Sequence, residues 1–544
     1  MPTCEVWFVA TSRMRFGVQG PALALGLLLA VAANAPGQSG GLHSYSRLPS
    51  TAAPVTVTGV VVNAVNGTPV PRALVQIGGR AMLTDHDGKF EFDQFTEMTG
   101  SVQITKPGYY ATLDPNSGAT YLSSSQLNEP VRLRLYPEAL LTGTVTAASD
   151  GEPLRQVQVS AMRSVFDDNG HRWVPAGMAQ TNRRGEFRIP VPAGEYRLET
   201  MYQGSNYSDS DVIMPVLFPL TSSSNTSGSI RIHSGEEQHF DLHPAKGPAY
   251  VVSVSIEPGT GYATGYAMIR ARAGGISFQV NPMSAGNGIY RLRLPNGSYT
   301  LHATRYGPDG QEIADTNVTV ADHDVSGAVL RFSQSQALPV ETRMEPSTSD
   351  NATPPNIMSL GLMLRSTDPN EGQDFTVFLQ QQKDGTVMFH APPGTYRLQA
   401  RFGGQWFVES ATYGDRDLLR QEMTVTSGGG GGPIELTVSN RTGSLDGTAS
   451  LKGVPCNCWV TLISTTPNAN AVINYVRSVP GYGYRMDLAP GTYQAIAFEK
   501  RYSADFTDPA TLAPFAGHVR TVTIHAGDKA TQDLDAVPEE EIAP

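Results

Sequence analysis

The chain has 544 residues, a net charge of −11 and 16% charged residues, with acidic and basic side chains spread along it apart from Glu539-Glu540-Glu541. That balance excludes nucleic acid as a partner, because its binders need a basic stripe. With 55 Gly, 39 Pro and no long helical pattern, the chain suits short strands and many turns, and at roughly 100–150 residues per domain it predicts four or five units.

Arg13 and Arg15 precede the apolar run from Ala22 to Ala33, which is too short and too rich in small residues for a membrane span and reads as a signal peptide over 1–37. Ala33-Asn34-Ala35 has the small-x-small form of a cleavage site, although Pro36 is unfavourable there and cleavage before Gln38 is an alternative. An uncleaved anchor is the competing reading, and Met14 is an alternative start. No lipid-accepting Cys follows the run. The expectation is therefore export to the periplasm, cell surface or medium, with no transmembrane span in the mature chain.

A polar linker, 38–54, leads into a unit over 55–137. It opens with Val55-Thr-Val57-Thr-Gly59-Val-Val61 and continues through Asn66-Gly67-Thr-Pro69, Ala73-Leu-Val75-Gln-Ile77 and Thr84-Asp85-His-Asp87-Gly88-Lys-Phe90. Gly67-Thr-Pro69 predicts a turn, Asp87-Gly88 a tight hairpin, and Val131-Arg-Leu133-Arg-Leu135 an alternating last strand. A second copy over 138–246 repeats Leu141-Thr-Gly143-Thr-Val145, Gly151-Glu-Pro153-Leu154, Val157-Gln-Val159 and Thr181-Asn-Arg-Arg-Gly185-Glu-Phe187. The Ser-rich segment 221–229 reads as an exposed loop.

The stretch Gly185-Glu-Phe187-Arg-Ile189-Pro-Val-Pro192-Ala-Gly194-Glu-Tyr196-Arg-Leu198 returns down the chain. It reappears as Gly288 to Tyr299, Gly385 to Tyr396 and Gly483 to Tyr493, so that the tyrosines advance by 103, 97 and 97 residues. Period-two alternation on both sides of the Pro/Gly turn predicts two short strands joined as a hairpin, with the tyrosines in the core. A period of about one sandwich domain predicts an array, with further units over 247–337, 338–442 and 443–538 that keep this element and lose the opening V-x-G-x-V, and an acidic tail over 539–544.

The order V-x-G-x-V, G-x-P-V with A-x-V-x-I, then T-D-x-x-G-x-F resembles the carboxypeptidase regulatory-like domain. That resemblance implies a transthyretin-like β-sandwich, also described as a carbohydrate-binding-like fold, and the whole chain resembles large secreted acidobacterial proteins built as strings of such domains. The expected fold class is all-β: a tandem array of about five transthyretin/Ig-like antiparallel sandwiches. The family implies a fold and a setting, not an activity.

Chemistry must be sought site by site. His233-Ser-Gly-Glu236-Glu-Gln-His239 has the H-x-x-E spacing of metallocarboxypeptidase zinc ligands, but Gly235 in its middle and the missing α/β scaffold favour a polar turn; H-E-x-x-H is absent. Gly37-Gln-Ser39-Gly-Gly41 matches G-x-S-x-G only in the linker, and Gly259-Thr-Gly261 opens no helix. Asp85-His-Asp87-Gly88 and Asp167-Asp168-Asn169-Gly170 carry oxygen ligands suited to calcium, while Asx-turn chemistry explains both without a metal. Cys456-Asn457-Cys458 is the thiol pair left after signal removal, since Cys4 lies upstream. A local disulfide is the first reading in an oxidising compartment, free buried thiols the second, a redox or metal role the third. In an extended strand their Cα atoms would stand roughly 6.5–7 Å apart, at the limit for bridging, so a bend at Pro455 is required.

Sugar binding by a sandwich needs exposed flat rings. Trp173, Trp406 and Tyr413 fit that type, against the competing reading that such rings fill cores; Trp459, within a strand, fits least. Two functions stand. One is a non-catalytic exported binding or scaffold protein, for a polysaccharide, cell-envelope component or protein. The other is a metallopeptidase in which these units accompany a catalytic domain, yet the five units leave no stretch of 200 residues for one. A membrane β-barrel fails for the same reason, and because the strands are short and turn-punctuated. The expectation is therefore no enzyme, with function carried by loops that differ between copies.

Overall fold

The computed structural model describes residues 54–542, apart from 96–98, 114–119, 124–129, 168–169, 205–209, 220–227, 258–266, 308–309, 346–354, 368–374, 401–405, 428–431, 466–472 and 507. The expected signal peptide, Cys4, the G-x-S-x-G match, Gly259-Thr-Gly261, Asp168-Asn169 and most of the Ser-rich segment 221–229 lie outside the described residues. What is described is all-β and belongs to one compact unit, Ala52–Pro544.

One connectivity recurs five times. An opening strand pairs antiparallel with a middle strand and parallel with a closing strand. Val55–Asn63 does so with Lys89–Phe95 and Val131–Pro137, and Ala139–Val145 with Glu186–Val191 and Glu237–Leu242. Tyr250–Glu257 takes Ile289–Leu294 and Val325–Arg331; Gln336–Met344 takes Val387–Ala391 and Ile434–Ser439; Gly443–Gly447 takes Tyr484–Leu488 and Lys529–Thr531. The facing sheet of each is built on another antiparallel pair, such as Leu74–Ile77 with Thr99–Thr105, Gln158–Asp167 with Gly194–Thr200, and Met268–Ala273 with Gly297–Gly307. In the last two sandwiches that pair is Met363–Ser366 with Gly394–Gln399 and Cys458–Ser464 with Gly491–Phe498. Apolar residues at alternate positions fill five cores between the sheets.

The recurrent Gly/Pro/Tyr element is not a hairpin. Its first strand, Glu186–Val191, belongs to the sheet of the opening strand, and its second, Gly194–Thr200, belongs to the facing sheet. The turn carries the chain across the sandwich, and the tyrosine anchors it. The Tyr196 hydroxyl donates to the Pro192 carbonyl at 2.6 Å, Tyr299 to Pro295 at 2.9 Å, Tyr396 to Pro392 at 2.8 Å and Tyr493 to Ala489 at 2.8 Å. Each ring fills the core while its hydroxyl satisfies a corner carbonyl four residues back, as in the tyrosine corner of immunoglobulin-like sandwiches. Burial pushes the Tyr299 and Tyr493 hydroxyls up to about 12, so they remain donors at physiological pH.

The Asp87-Gly88 turn likewise joins strands of different sheets, Arg80–Leu83 and Lys89–Phe95. Its geometry is local. Asp85 Oδ1 accepts from the N–H groups of Asp87 and Lys89 at 2.9 and 2.8 Å; in the second sandwich Asn182 Oδ1 accepts from Arg184 and Glu186 at 2.8 and 3.1 Å. The preceding threonine ties this turn to the next loop. Thr84 Oγ1 donates to Val70 O and accepts from Ala73 N–H, and Thr181 does the same with Leu154 and Val157.

The opening glycine and the later aromatic are one device. Gly59 lies opposite Phe90 and Gly143 opposite Phe187, and the rings occupy the space where a Cβ would stand. The fifth sandwich keeps this pair as Gly447 opposite Tyr484, within Leu445-Asp-Gly447-Thr-Ala449. The V-x-G-x-V signature itself is absent there, as expected, but its glycine–aromatic pairing persists with Leu445 and Ala449 in place of the valines.

A methyl group on Gly143 would stand 1.8 Å from Phe240 O and 2.7 Å from the Phe187 ring. Gly143→Ala is therefore expected to force the opening and closing strands apart at a cost of about 3 kcal/mol. Unfolding followed by the fluorescence of Trp173 should shift to lower denaturant, while transitions reported by Trp406 and Trp459 stay in place.

Candidate functional site

In the third sandwich the outward face of the second sheet carries a polar ladder, within which His302 is itself only 7% exposed. Odd residues of Gly297–Gly307 enter the core and even ones face outward, so register aligns Gln279, Arg270, His302 and Asp315 in one row across four strands, and Ser277, Arg272, Thr300 and Asn317 in the next. His302 Nδ1 lies 2.8 Å from Asp315 Oδ1, and Thr300 Oγ1 donates to Asn317 Oδ1 at 2.8 Å. These bonds hold the donors and acceptors in place. At the end of the same face stands Tyr306, 80% exposed, opposite Gln311 and two residues from Thr304, whose partner Met268 is also exposed. Residue types gave no signal for this site; cross-strand register creates it.

Trp173 sits on the outward face of the second sandwich, opposite Ser164, but it is not an open platform. The Arg197 guanidinium lies over its ring, 4.8 Å from the centroid, and His171 packs edge-on at 5.3 Å. His171 also stacks near Phe166 at 4.7 Å and shares a 2.9 Å hydrogen bond with Ser164 Oγ. Burial, with Arg197 beside it, lowers the imidazole pKa, so His171 is neutral at pH 7.

Trp406 and Tyr413 are half-buried against the core of the fourth sandwich. Seven residues apart along an extended strand, roughly 20 Å, they do not share one platform, and Trp173 lies in another sandwich. Beside that strand Arg441 bridges Glu345 and Glu409, contacting the first and lying 3.6 Å from the second. Burial, with Glu345 alongside, pushes the Glu409 carboxyl up.

Cys456 and Cys458 are joined, with Cα atoms 5.3 Å apart. The expected 6.5–7 Å does not apply, because Cys456 and Asn457 lie between the strands Val454–Pro455 and Cys458–Ser464 rather than within one. Cys456 N–H donates to Ala449 O at 3.0 Å, the bond that Val70 makes to Val61 and Leu154 to Val145 at 2.9 Å. The pair thus occupies the apolar positions Val70 and Ala73, or Leu154 and Val157, in a loop shorter by one residue.

His233 and Glu236 form the turn between strands Ile230–Ile232 and Glu237–Leu242, which lie in different sheets of the second sandwich. Glu236 Oε2 accepts from His233 N–H at 2.7 Å and lies 2.9 Å from its Nδ1. His525 and Asp528 repeat this at 2.8 and 2.9 Å, and Gly235 and Gly527 take φ of 78° and 81°. His239 pairs instead with Asp241 at 3.3 Å. A turn copied at the same place in another sandwich has a structural explanation, and among the described residues no group of three His, Cys, Asp or Glu side chains is gathered for a metal. Asp85, in the candidate calcium run, directs Oδ1 to two backbone N–H groups as given above.

Hydrogen bonds from the His233 backbone, then from Gln238 and the His233 ring, hold the Glu236 carboxyl below its ordinary range. A depressed folded-state pKa contributes stability above the unfolded carboxylate pKa and loses it as pH falls through the folded value. Glu236→Ala is expected to cost about 0.5–1 kcal/mol at pH 7, like loss of a helix cap, and almost nothing in acid, as measured by urea midpoints across pH. Reduction, or Cys456→Ser with Cys458→Ser, is expected to lower the midpoint reported by Trp459 and leave those of Trp173 and Trp406 unchanged.

No family model and no curated protein matches the chain. Among solved structures it is similar to the Bacillus anthracis TIE protein (9% identity, 72% of this chain and 73% of that one, TM-score 0.15). A streptococcal ancillary pilin (11%, 54% and 100%, TM-score 0.18) and the RrgB pilus protein of Streptococcus pneumoniae (7%, 74% and 98%, TM-score 0.14) are also similar. Superpositions this loose carry no weight for fold or function.

Proposed function

We propose that this is an exported, non-catalytic binding or scaffold protein whose first two sandwiches are carboxypeptidase regulatory-like domains, and that it holds a polysaccharide on the outward face of the third sandwich. The polar ladder ending at Tyr306 is the single observation that carries this reading. An exposed ring offers a stacking surface, and Arg270, Arg272, Thr300 and Asn317, the last two hydrogen-bonded to each other, offer hydroxyl-binding donors and acceptors along one sheet face. Trp173 is the weaker candidate, because Arg197 already lies over its ring. A cell-envelope glycan is the ligand class that fits an exported chain.

The competing metallopeptidase reading rests on His233 and Glu236, which are engaged with each other in a turn that recurs elsewhere. Metal-dependent carboxypeptidase activity abolished by His233→Ala would establish it and end the proposal. In polysaccharide pull-downs with the mature chain, with and without calcium, Tyr306→Ala is expected to weaken retention at least about tenfold with unchanged melting. Retention that survives Tyr306→Ala but is lost in Trp406→Ala or Tyr413→Ala would move the site to the fourth sandwich, and no retention on any glycan would leave a scaffold role alone.

A further inference from the structure

Residues between Glu499 and Glu540 reach back to the beginning of the array. Arg134, on the closing strand of the first sandwich, places Nη2 2.5 Å from Glu540 Oε2 and Nη1 3.8 Å from Glu539 Oε2. Glu540 also takes Lys452 Nζ at 2.7 Å, and the Glu539 N–H donates to Glu499 Oε2 at 2.9 Å. Tyr136, next but one to Arg134, is buried, and burial with Glu539 nearby pushes its hydroxyl pKa up. Glu539 is buried although three glutamates in a row read as a solvated tail.

A second contact lies on the second sandwich. The Ser503 hydroxyl donates to Phe166 O, at the end of the strand that carries Ser164; Asp505 acts electrostatically on His171, and Glu195 and Arg231 act on Tyr502. The segment making this contact is packed on the fifth sandwich. Phe498, Tyr502, Phe506 and Phe515 pack with ring centroids 5.2 to 6.1 Å apart, covering the outward face of that domain's sheet. Arg501 lies over Tyr475 at 4.2 Å and over Trp459 at 5.6 Å, and Arg477 lies over Trp459 at 4.8 Å. Among the described residues, the other four sandwiches show no such aromatic cap.

We infer that the chain end is a clasp: the cap of the fifth sandwich and the C-terminal turn dock that domain onto the first and second, beside the aromatic face of Trp173. The contact joins the partly exposed Glu540 carboxylate to cations from two domains, Arg134 and Lys452, and a hydroxyl to a strand-end carbonyl, so it is polar, small and reversible, unlike an apolar core. Ion pairs of partly exposed groups are screened when salt shortens the Debye length from about 8 Å to about 3 Å. The clasp therefore opens in high salt while each sandwich stays folded. This inference does not depend on what the third sandwich binds.

The test compares the mature chain with Arg134→Glu, with Arg134→Lys and with a chain ending at Pro538. Small-angle scattering reads the radius of gyration, and hydrogen exchange reads strands Gln158–Asp167 and Gly170–Gln180. Arg134→Glu, the shortened chain and the parent in 1 M salt are expected to show a larger radius and faster exchange at those strands, whereas Arg134→Lys stays like the parent in low salt. The Trp459 unfolding midpoint checks that the fifth sandwich is intact in every variant. If the parent in low salt already has the radius of Arg134→Glu, or if Arg134→Glu and the shortened chain leave both readouts unmoved with the Trp459 midpoint unchanged, there is no clasp.

Discussion

A chain that crosses from one sheet of a sandwich to the other leaves a carbonyl at the corner that neither ladder can satisfy. In four of the five sandwiches a tyrosine hydroxyl supplies the missing donor from inside the core. An unpaired buried carbonyl costs roughly 1–3 kcal/mol, a large fraction of a small domain's stability, so the corner and the ring that stabilises it recur together. The consequence reaches further than one turn. Crossing at this point places the middle strand beside the opening strand and the next strand beside the second one, and this fixes the order of both sheets.

The glycine of the opening strand acts with this corner. It admits the ring of the middle strand directly above it, Phe90 over Gly59, Phe187 over Gly143 and Tyr484 over Gly447, so the register of opening and middle strands is set by shape. The parallel closing strand then meets the far side of the same glycine, where Val131 O and Phe240 O approach too closely for any side chain. In these three copies two residue types thus specify three strands, while the third and fourth sandwiches reach the same pairing with Val254 opposite Tyr290 and Leu338 opposite Phe389.

Strand positions, the fivefold repeat and the core tyrosines were legible because alternation and spacing are local properties of sequence. Sheet membership was not. Glu186–Val191 and Gly194–Thr200 alternate equally well whether they pair with each other or with different neighbours, and the Pro/Gly turn between them suits both a hairpin and a crossing. The same limit applies to the candidate site. Arg270, Thr300 and Asn317 are unremarkable one by one, and their alignment exists only through register. Trp173 was conspicuous as a residue type, but the stacked Arg197 comes from a strand 24 residues away.

Most of the polar residues that first suggest chemistry are engaged in holding turns, and copies of the same turn reveal this: His233 with Glu236 matches His525 with Asp528, and Asp85 matches Asn182. What differs between copies is therefore informative, but it is not confined to loops. The third sandwich presents a polar sheet face that ends at the exposed Tyr306, and the fifth has a face covered by an aromatic cap. A sandwich has two outward faces to commit once its core is filled. On the proposed reading one outward face of this array meets a ligand while another is directed back toward the chain itself, and binding and domain arrangement then fall to different copies of one fold.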